Sequence, residues 1–527
     1  MPFTLPDLTG LTERLHADLT AARYTAERID ELLSPTALAA LEREDPIPAR
    51  RELDQLNDPA ATLFSVFTLG GRVRERELAH ALPSLTLEGA QRLGIVEPID
   101  VGTTSAVRLL RATIDLRPYQ AEDDLGGVQW WIASDLSEIA TGRPLDGDHV
   151  LGVGGATTTL VQVTPRPRVE RALDVGCGCG IQALHAARHA RTVIATDISQ
   201  RALNFTRFNI ALNQGSLPEG HTIELRQGSM LEPVAGEQFN LVVSNPPFVI
   251  TPRLEDEQTW TYRDGGQVGD HLLAELVRAL PEHLSEGGLA VMLANWEIPA
   301  GADWDAHPRL WLQDTAADAF IIQREIEDPA AYAHTWLRDG GLTPADPRWE
   351  TLMHAYLDDF SSREVDAVGF GYVLLHRPAE DEGREPLRVL EDIRTTGRGP
   401  LGPRLLTMLS SGIAGARLSD EQLLAARIRR ADDVVERRHF TPGAEDPLLI
   451  DAVQGGGFGR TLQLSSAMAG MLGVMTGEHL LGVLLNAYLS LTDEDPQALR
   501  PQLLEEVRRL LLWDFLTFAA PEEGGTL

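Results

Sequence analysis

Residues 173–184 read LDVGCGCGIQAL. An apolar, strand-like run ends in three glycines at alternate positions, Gly176, Gly178 and Gly180, and a helix-like run follows. Glycine tolerates positive φ and lets a ligand approach the backbone closely. The helix that follows offers unpaired N–H groups at its start. Asp174 puts a carboxylate beside the turn. A strand that turns this sharply into a helix is the opening unit of an α/β sheet, so this corner decides how the surrounding chain is read.

Outward from the corner, residues from about 170 to 380 alternate between strand and helix. RALDVG, TVIATDI, TIELRQ, FNLVVS, LAVMLA, AFIIQREI and AVGFGYVLL read as strands. IQALHAARHA, RALNFTRFNIALN and HLLAELVRALPEHL read as helices. This order predicts a seven-stranded, doubly wound α/β sheet with helices on both faces, its last two strands forming an antiparallel edge pair.

The flanks differ. Residues 1 to about 58 have helical spacing, and Ser34 is placed to cap a helix beginning at Pro35. From about 60 to 120 the order is three short helices and then two strands, the pattern of a winged helix or of a small helical cap with a hairpin. The polar stretch AEDEGREP (379–386) reads as a linker. Beyond it the chain turns helical again, with a hairpin expected within RRHFTPGAEDPLLIDAVQGGG. The expected domains are a helical, winged-helix-like segment (1–148), the α/β domain (149–380) and a mainly helical α+β domain (387–527).

Composition narrows the function classes. The chain has 527 residues, and its formal charge is −32, from 46 basic and 78 acidic side chains. That balance argues against gripping nucleic acid by broad electrostatics, though not against a local groove. All the basic residues are arginine. No apolar run is long enough for a membrane span, and the N-terminus lacks a signal-peptide pattern, so a cytoplasmic location is expected. The two cysteines, Cys177 and Cys179, are too close for an ordinary disulfide and too few for a zinc site, and no metal is expected. They read as small fillers of the glycine corner.

Two cofactor classes use such a corner, dinucleotides and S-adenosylmethionine. The dinucleotide fingerprint G-x-G-x-x-G requires a third glycine where this chain has Ile181. About 20 residues past the glycines, Asp197 ends the second strand, followed by Ile198. A carboxylate there can accept both hydroxyls of a ribose, or cap the next helix. The third strand ends near Ser229 and Met230. The fourth runs into SNPPFVI (244–250), where Pro246 and Pro247 remove two backbone donors and fix two φ angles. In open α/β sheets ligands sit beyond the carboxyl ends of the strands, so Asn245 shares an edge with the glycines and Asp197.

This D-x-G-x-G-x-G corner with Asn-Pro-Pro-Phe on the fourth strand resembles class I S-adenosylmethionine-dependent N-methyltransferases. It is similar to the group of small-domain ribosomal RNA guanine methyltransferases and release-factor glutamine methyltransferases, and the whole also resembles actinobacterial-type proteins with flanking helical domains. The resemblance implies a Rossmann-like fold and S-adenosylmethionine as cofactor. It implies cofactor contacts from Asp174, Gly176, Cys177, Gly178, Gly180, Asp197, Ile198, Ser229, Met230 and Asn245. The group often carries an acidic residue where this chain has Ser229. In related enzymes the region matching HVLGVGGATTTLVQ (149–162) closes over the methionine part of the cofactor, where Thr157, Thr158 and Thr159 would supply hydroxyls; the other reading of the stretch is a plain β-turn.

The resemblance makes Asn245, Pro246, Pro247 and Phe248 the catalytic set, and the chemistry agrees. A planar exocyclic amine or amide is a poor nucleophile because its lone pair is delocalised. The Asn245 side-chain oxygen and the Pro246 carbonyl can each hold one of its N–H bonds, and Phe248 offers a flat face for stacking. Positioning is the larger contribution. Arg263 and Asp264, in the loop after this strand, are candidates for substrate contact or belong to a solvated turn. The acceptor expected first is a nucleobase amine in RNA, flipped onto Phe248. The alternatives are a glutamine amide of a translation protein such as a release factor, and a small-molecule amine. A non-catalytic cofactor-binding module or a nicotinamide-dependent oxidoreductase would leave the Asn-Pro-Pro-Phe corner without a use.

Overall fold

Strands covered on both faces bury consecutive residues, and Ala172–Val175 and Leu241–Ser244 are buried throughout, apolar except for Asp174 and Ser244. The computed structural model describes residues 8, 10–99, 108–142, 145–253, 266–379, 384–395, 397, 399–492 and 495–519. Its main sheet has eight strands: β1 (Val169–Val175), β2 (Ala190–Asp197), β3 (Thr222–Gln227), β4 (Phe239–Ser244), β5 (Leu284–Pro299), β6 (Asp318–Glu327), β7 (Val365–His376) and β8 (Arg388–Asp392). Their order across the sheet is β8-β6-β7-β5-β4-β1-β2-β3. Strands β1 to β5 pair in parallel, and β7 runs antiparallel to both β5 and β6. The strand order reverses between β1 and β4, the position where doubly wound sheets bind ligands.

All seven strands read from the sequence form. The eighth, β8, corrects the expected seven: its five residues were read as the start of the helical C-terminal region, and so short an edge strand shows little periodicity.

Helices α1 (Ile181–Ala186), α2 (Gln200–Asn213) and α3 (His271–Ala279) connect the parallel strands. Ser199 caps α2, its hydroxyl accepting the Ala202 N–H. Two more helices, α4 (Pro329–Asp339) and α5 (Trp349–Ser362), are inserted between β6 and β7. Asp328 caps α4 by accepting the N–H groups of Ala330 and Ala331. One apolar cluster joins Leu173, Ile194, Phe239, Leu276 and Trp296. Another joins Val249 and Ile250 to Tyr332, Leu352 and Phe360 of the inserted helices.

The N-terminal segments belong to the same compact unit as this sheet. Ser34 caps the helix Pro35–Leu41 through the Ala37 N–H, as the sequence suggests. Helices Pro59–Leu63, Glu75–Ala81 and Thr86–Arg92 accompany a small antiparallel sheet. Its central strand Leu109–Ala112 lies between Val73–Arg74 and Val96–Ile99. A hairpin, Asp115–Asp123 with Gly126–Ser134, follows and was not anticipated.

This hairpin is fastened to α2 by two buried asparagines. Asn209 accepts the Ala133 N–H and donates to the carbonyls of Ala133 and Cys179. Asn213 makes the same pair of bonds to Trp131. Both side chains complete backbone groups that would otherwise be buried without partners.

The second compact unit comprises residues 162–166, 382–387 and 392–527. Within it, helices Gly402–Arg417 and Pro496–Leu512 pack closely at Gly412, where a Cβ would lie 2.7 Å from Leu512 Cδ1. The expected hairpin is present as Val434–His439 with Leu449–Gln454, joined by Thr461–Leu464. A second three-stranded sheet, with Arg427–Arg430 at its centre, makes this unit richer in strand than the sequence implied.

Candidate functional site

Register brings the three motifs together. Val175 of β1 lies opposite Thr196 of β2 on one side and Ser244 of β4 on the other. Gly176, Asp197 and Asn245 are therefore the next residues on three neighbouring strands. Ser244 reinforces the alignment, its hydroxyl donating to the Val175 carbonyl at 2.9 Å.

The glycine turn is built from left-handed backbone: φ is 73° at Gly176, 55° at Gly178 and 84° at Gly180. The N–H groups of Gly176 and Cys177 both donate to Thr196 O. A Cβ on Gly176 or Gly178 would meet no atom within 4 Å, so these two residues border open space, where a ligand can lie against bare backbone. Gly180 has another role. A Cβ there would lie 2.6 Å from Thr206 Cγ2, so this glycine lets α1 start hard against α2.

Asp174 is buried, and its Oδ2 meets no hydrogen-bond partner among the described residues. Burial pushes its carboxyl up to about 7, against an opposing hydrogen bond from the Ala183 N–H, with the charge of Asp197 adding to the rise. A buried carboxylate oxygen in this condition is completed by a cation with N–H donors. An amino acid ammonium group meets that description.

Asp197 links β2 to the glycine turn. Its Oδ2 accepts the Gly178 N–H at 2.9 Å, and its Oδ1 accepts the Ser199 N–H at 2.8 Å. Ser199, not Asp197, caps α2. Burial raises the Asp197 carboxyl, opposed by the backbone N–H groups of Ser199, Gly178 and Ile198. The next side chain, Ile198, is 61% exposed and presents an apolar surface at the strand tip. Ser229 and Met230 follow β3 and are half-buried, Met230 with φ 46°.

The cysteines face away from the open space. Cys177 Sγ lies 3.4 Å from Thr206 Oγ1. Burial pushes both thiols up, Cys179 to about 12, so neither is a thiolate near neutrality. Thr158 and Thr159 fall in a helix, Gly155–Val163, and not in a turn. The Thr158 hydroxyl is used locally, donating to Gly154 O. This helix is tied to the glycine corner by Gln182, whose Nε2 donates to Thr157 O at 3.0 Å.

At the end of β4, Asn245 Oδ1 is buried and meets no partner among the described residues. Pro246 is buried, while Pro247 and Phe248 are half-buried. The Phe248 ring meets Trp336 of α4 edge-on, with centroids 6.1 Å apart. Arg263 and Asp264 lie outside the described residues. Thr206, Gln182 and Asn209 contribute to the corner without a motif. Only the i, i+4 spacing of Asn209 and Asn213 on an apolar helix face could have drawn attention to that pair.

Comparison with known proteins agrees with this geometry. Residues 152–302 match the methyltransferase small domain family, and residues 21–107 match a domain of unknown function, DUF7059. A ribosomal protein uL3 glutamine methyltransferase of Bradyrhizobium diazoefficiens is 31% identical over 193 residues, 34% of this chain and 58% of that protein. A release factor glutamine methyltransferase of Geobacter sulfurreducens is 30% identical over 23% of this chain and 44% of its own length. A ribosomal RNA small subunit methyltransferase C of Salmonella arizonae is 27% identical over 44% of this chain and 56% of its own length. The chain thus spans roughly half the length of these curated relatives. The glycine corner, Asp197 and Asn245 all lie within the residues that match the methyltransferase small domain family.

Proposed function

We propose that this chain transfers a methyl group from S-adenosylmethionine to a planar sp2 nitrogen held at the Asn-Pro-Pro-Phe corner. The observation that carries the reading is the unpartnered, buried Asn245 Oδ1, one residue past a strand end in register with the glycine turn. Asp174 Oδ2 would receive the ammonium group, the bare backbone of Gly176 and Gly178 would hold the amino acid part, and Asp197 would take the ribose hydroxyls. Ile198, Ser229 and Met230 would contact the adenine. Bound there, the cofactor supplies a methyl already activated on a sulfonium, which requires no metal or covalent nucleophile.

Asn245 Oδ1 and the Pro246 carbonyl each hold one N–H of the acceptor. As those bonds tighten, the lone pair localises on nitrogen and takes the methyl, the sulfonium leaves as the neutral thioether of S-adenosylhomocysteine, and the methylated nitrogen sheds one N–H proton to solvent. Phe248 stacks on the planar group. The two prolines keep both acceptors rigid, so little reorganisation accompanies transfer.

The acceptor class read first is a nucleobase exocyclic amine in RNA, with the winged-helix-like region expected from about 60 to 120 as the element that holds RNA. The second reading is a glutamine amide of a translation protein. The net charge of −32 and the two glutamine methyltransferases among the relatives favour it. Either acceptor places the protein in the cytoplasm. Among the described residues no helix is long and apolar enough to cross a membrane.

The deciding experiment offers tritiated S-adenosylmethionine with deproteinised ribosomal RNA, ribosomal protein and release factor as separate acceptors. Label in RNA supports the first reading, and label in a protein glutamine supports the second. No transfer to any of them, with cofactor bound, would count against N-methylation of translation components.

A further inference from the structure

Asn245 sits at the end of β4, and what fixes the chain beyond it decides where its oxygen points. Pro246 and Pro247 have no N–H, and β4 stops pairing at Ser244. Beyond Ser244 the segment that leaves the corner makes only an isolated β-bridge, at Phe248. A further anchor comes from a side chain: the Ile250 N–H donates to the Tyr332 hydroxyl at 2.8 Å.

Tyr332 lies on α4, in the insertion between β6 and β7, beyond the residues that match the methyltransferase small domain family. Its hydroxyl also accepts a bond from Asn295 Nδ2 at 2.8 Å, from the far end of β5. Ile250, Tyr332 and Asn295 are each at most 1% exposed. The Tyr332 ring is held by Phe370, stacked at 5.6 Å, and by Phe360, edge-on at 5.5 Å. The hydroxyl is thus a fixed point in a packed apolar cluster, and it reaches the corner only two residues past Phe248. The next turn of α4 carries Trp336, against the Phe248 ring.

We infer that Tyr332 is a positioning residue for methyl transfer, fixing the exit of the Asn-Pro-Pro-Phe corner through Ile250 while Asn295 fixes its hydroxyl. Tyr332 touches no reacting atom; it acts by restricting the backbone that carries Asn245 and the Pro246 carbonyl. The inserted helices α4 and α5 are thereby part of the acceptor side of the site. This inference rests on the proposed function only for its kinetic part.

The test uses the full chain and Tyr332→Phe, which keeps the packed ring and removes the hydroxyl. Amide hydrogen exchange should rise at least tenfold in the segment Phe248–Thr251 and stay unchanged at Ala172–Val175. The Kd for S-adenosylhomocysteine should stay within twofold, while kcat on deproteinised ribosomal RNA or release factor, whichever the wild type methylates, falls at least tenfold. Leu352→Ala removes packing from the same cluster while keeping the Tyr332 hydroxyl that accepts the Ile250 N–H, and at a matched loss of Tm it should retain kcat. Unchanged exchange in Tyr332→Phe, or a kcat loss no larger than that of Leu352→Ala, overturns the inference. A wild-type protein that methylates neither acceptor defeats the functional reading instead, and exchange at Phe248–Thr251 still decides the anchor.

Discussion

The Asp197 carboxylate accepts the Gly178 N–H at 2.9 Å, so the tip of β2 is tied directly to the glycine turn that ends β1. One side chain thus shapes the turn and keeps acceptor capacity for a ligand, since an ionised carboxylate offers about four lone-pair sites. Asp197→Ala should weaken S-adenosylhomocysteine binding by roughly tenfold to a hundredfold, the cost of losing charge-assisted hydrogen bonds. Isothermal calorimetry measures this, and an unchanged Kd would remove Asp197 from the cofactor site.

The role proposed for Asp174 makes cofactor binding depend on pH. Its carboxyl sits at about 7 in the free protein because it is buried, and an ammonium group needs it ionised. Affinity should therefore fall toward tenfold per pH unit below 7, and fall again at alkaline pH where the ligand's own ammonium group loses its proton. Stability runs the other way. A carboxyl raised on folding favours the folded state at low pH, and that contribution disappears as pH rises through 7. Asp174→Asn should raise Tm of the free protein at pH 8 while abolishing measurable cofactor binding. Thermal scans at pH 5 and pH 8, with and without S-adenosylhomocysteine, separate the two effects.

The glycines should divide by mechanism. Gly180→Ala drives a Cβ into Thr206 at a left-handed φ, and should cost roughly 2–4 kcal/mol of stability. Gly176→Ala meets no neighbour, so its stability cost should stay near 1 kcal/mol, from the left-handed backbone alone. Its methyl projects into the ligand space, and cofactor affinity should drop by at least tenfold. Urea denaturation and calorimetry on both variants check the contrast; equal behaviour would remove the distinction between cradle and packing glycine.

Asn245→Ala removes the buried oxygen assigned to the acceptor and should leave the cofactor Kd within about twofold. The expected loss in kcat is roughly a hundredfold or more, the scale seen when one preorganised polar group is removed from an active site. Single-turnover transfer of labelled methyl is the measurement. Retained turnover would show that Asn245 does not hold the acceptor.

Seven strands of the sheet were legible because six carry runs of branched and apolar residues and the edge strand β3 alternates apolar with polar ones, each bounded by a helix or a turn, and the site motifs lie at their ends. Asp174, Asp197 and Asn245 could be placed on one edge from strand order alone. β8 and the Val73–Arg74 strand were not legible, since five and two residues carry too little pattern. The hairpin from Asp115 to Ser134 was missed because its outer part is polar and irregular, and much of its placement is set by Asn209 and Asn213 from a distant helix. Tyr332 carries no local signal, as its role depends on contacts 82 and 37 residues away in sequence.

The shared register of β1, β2 and β4 at Val175, Thr196 and Ser244 sets a limit on how this chain can diverge. Helices and loops between those strands can lengthen freely, because the sheet absorbs nothing from them. Deleting one residue inside β4 would turn Asn245 to the opposite face and carry every buried neighbour with it. Strand length, more than the identity of any core residue, is the quantity that this site holds fixed.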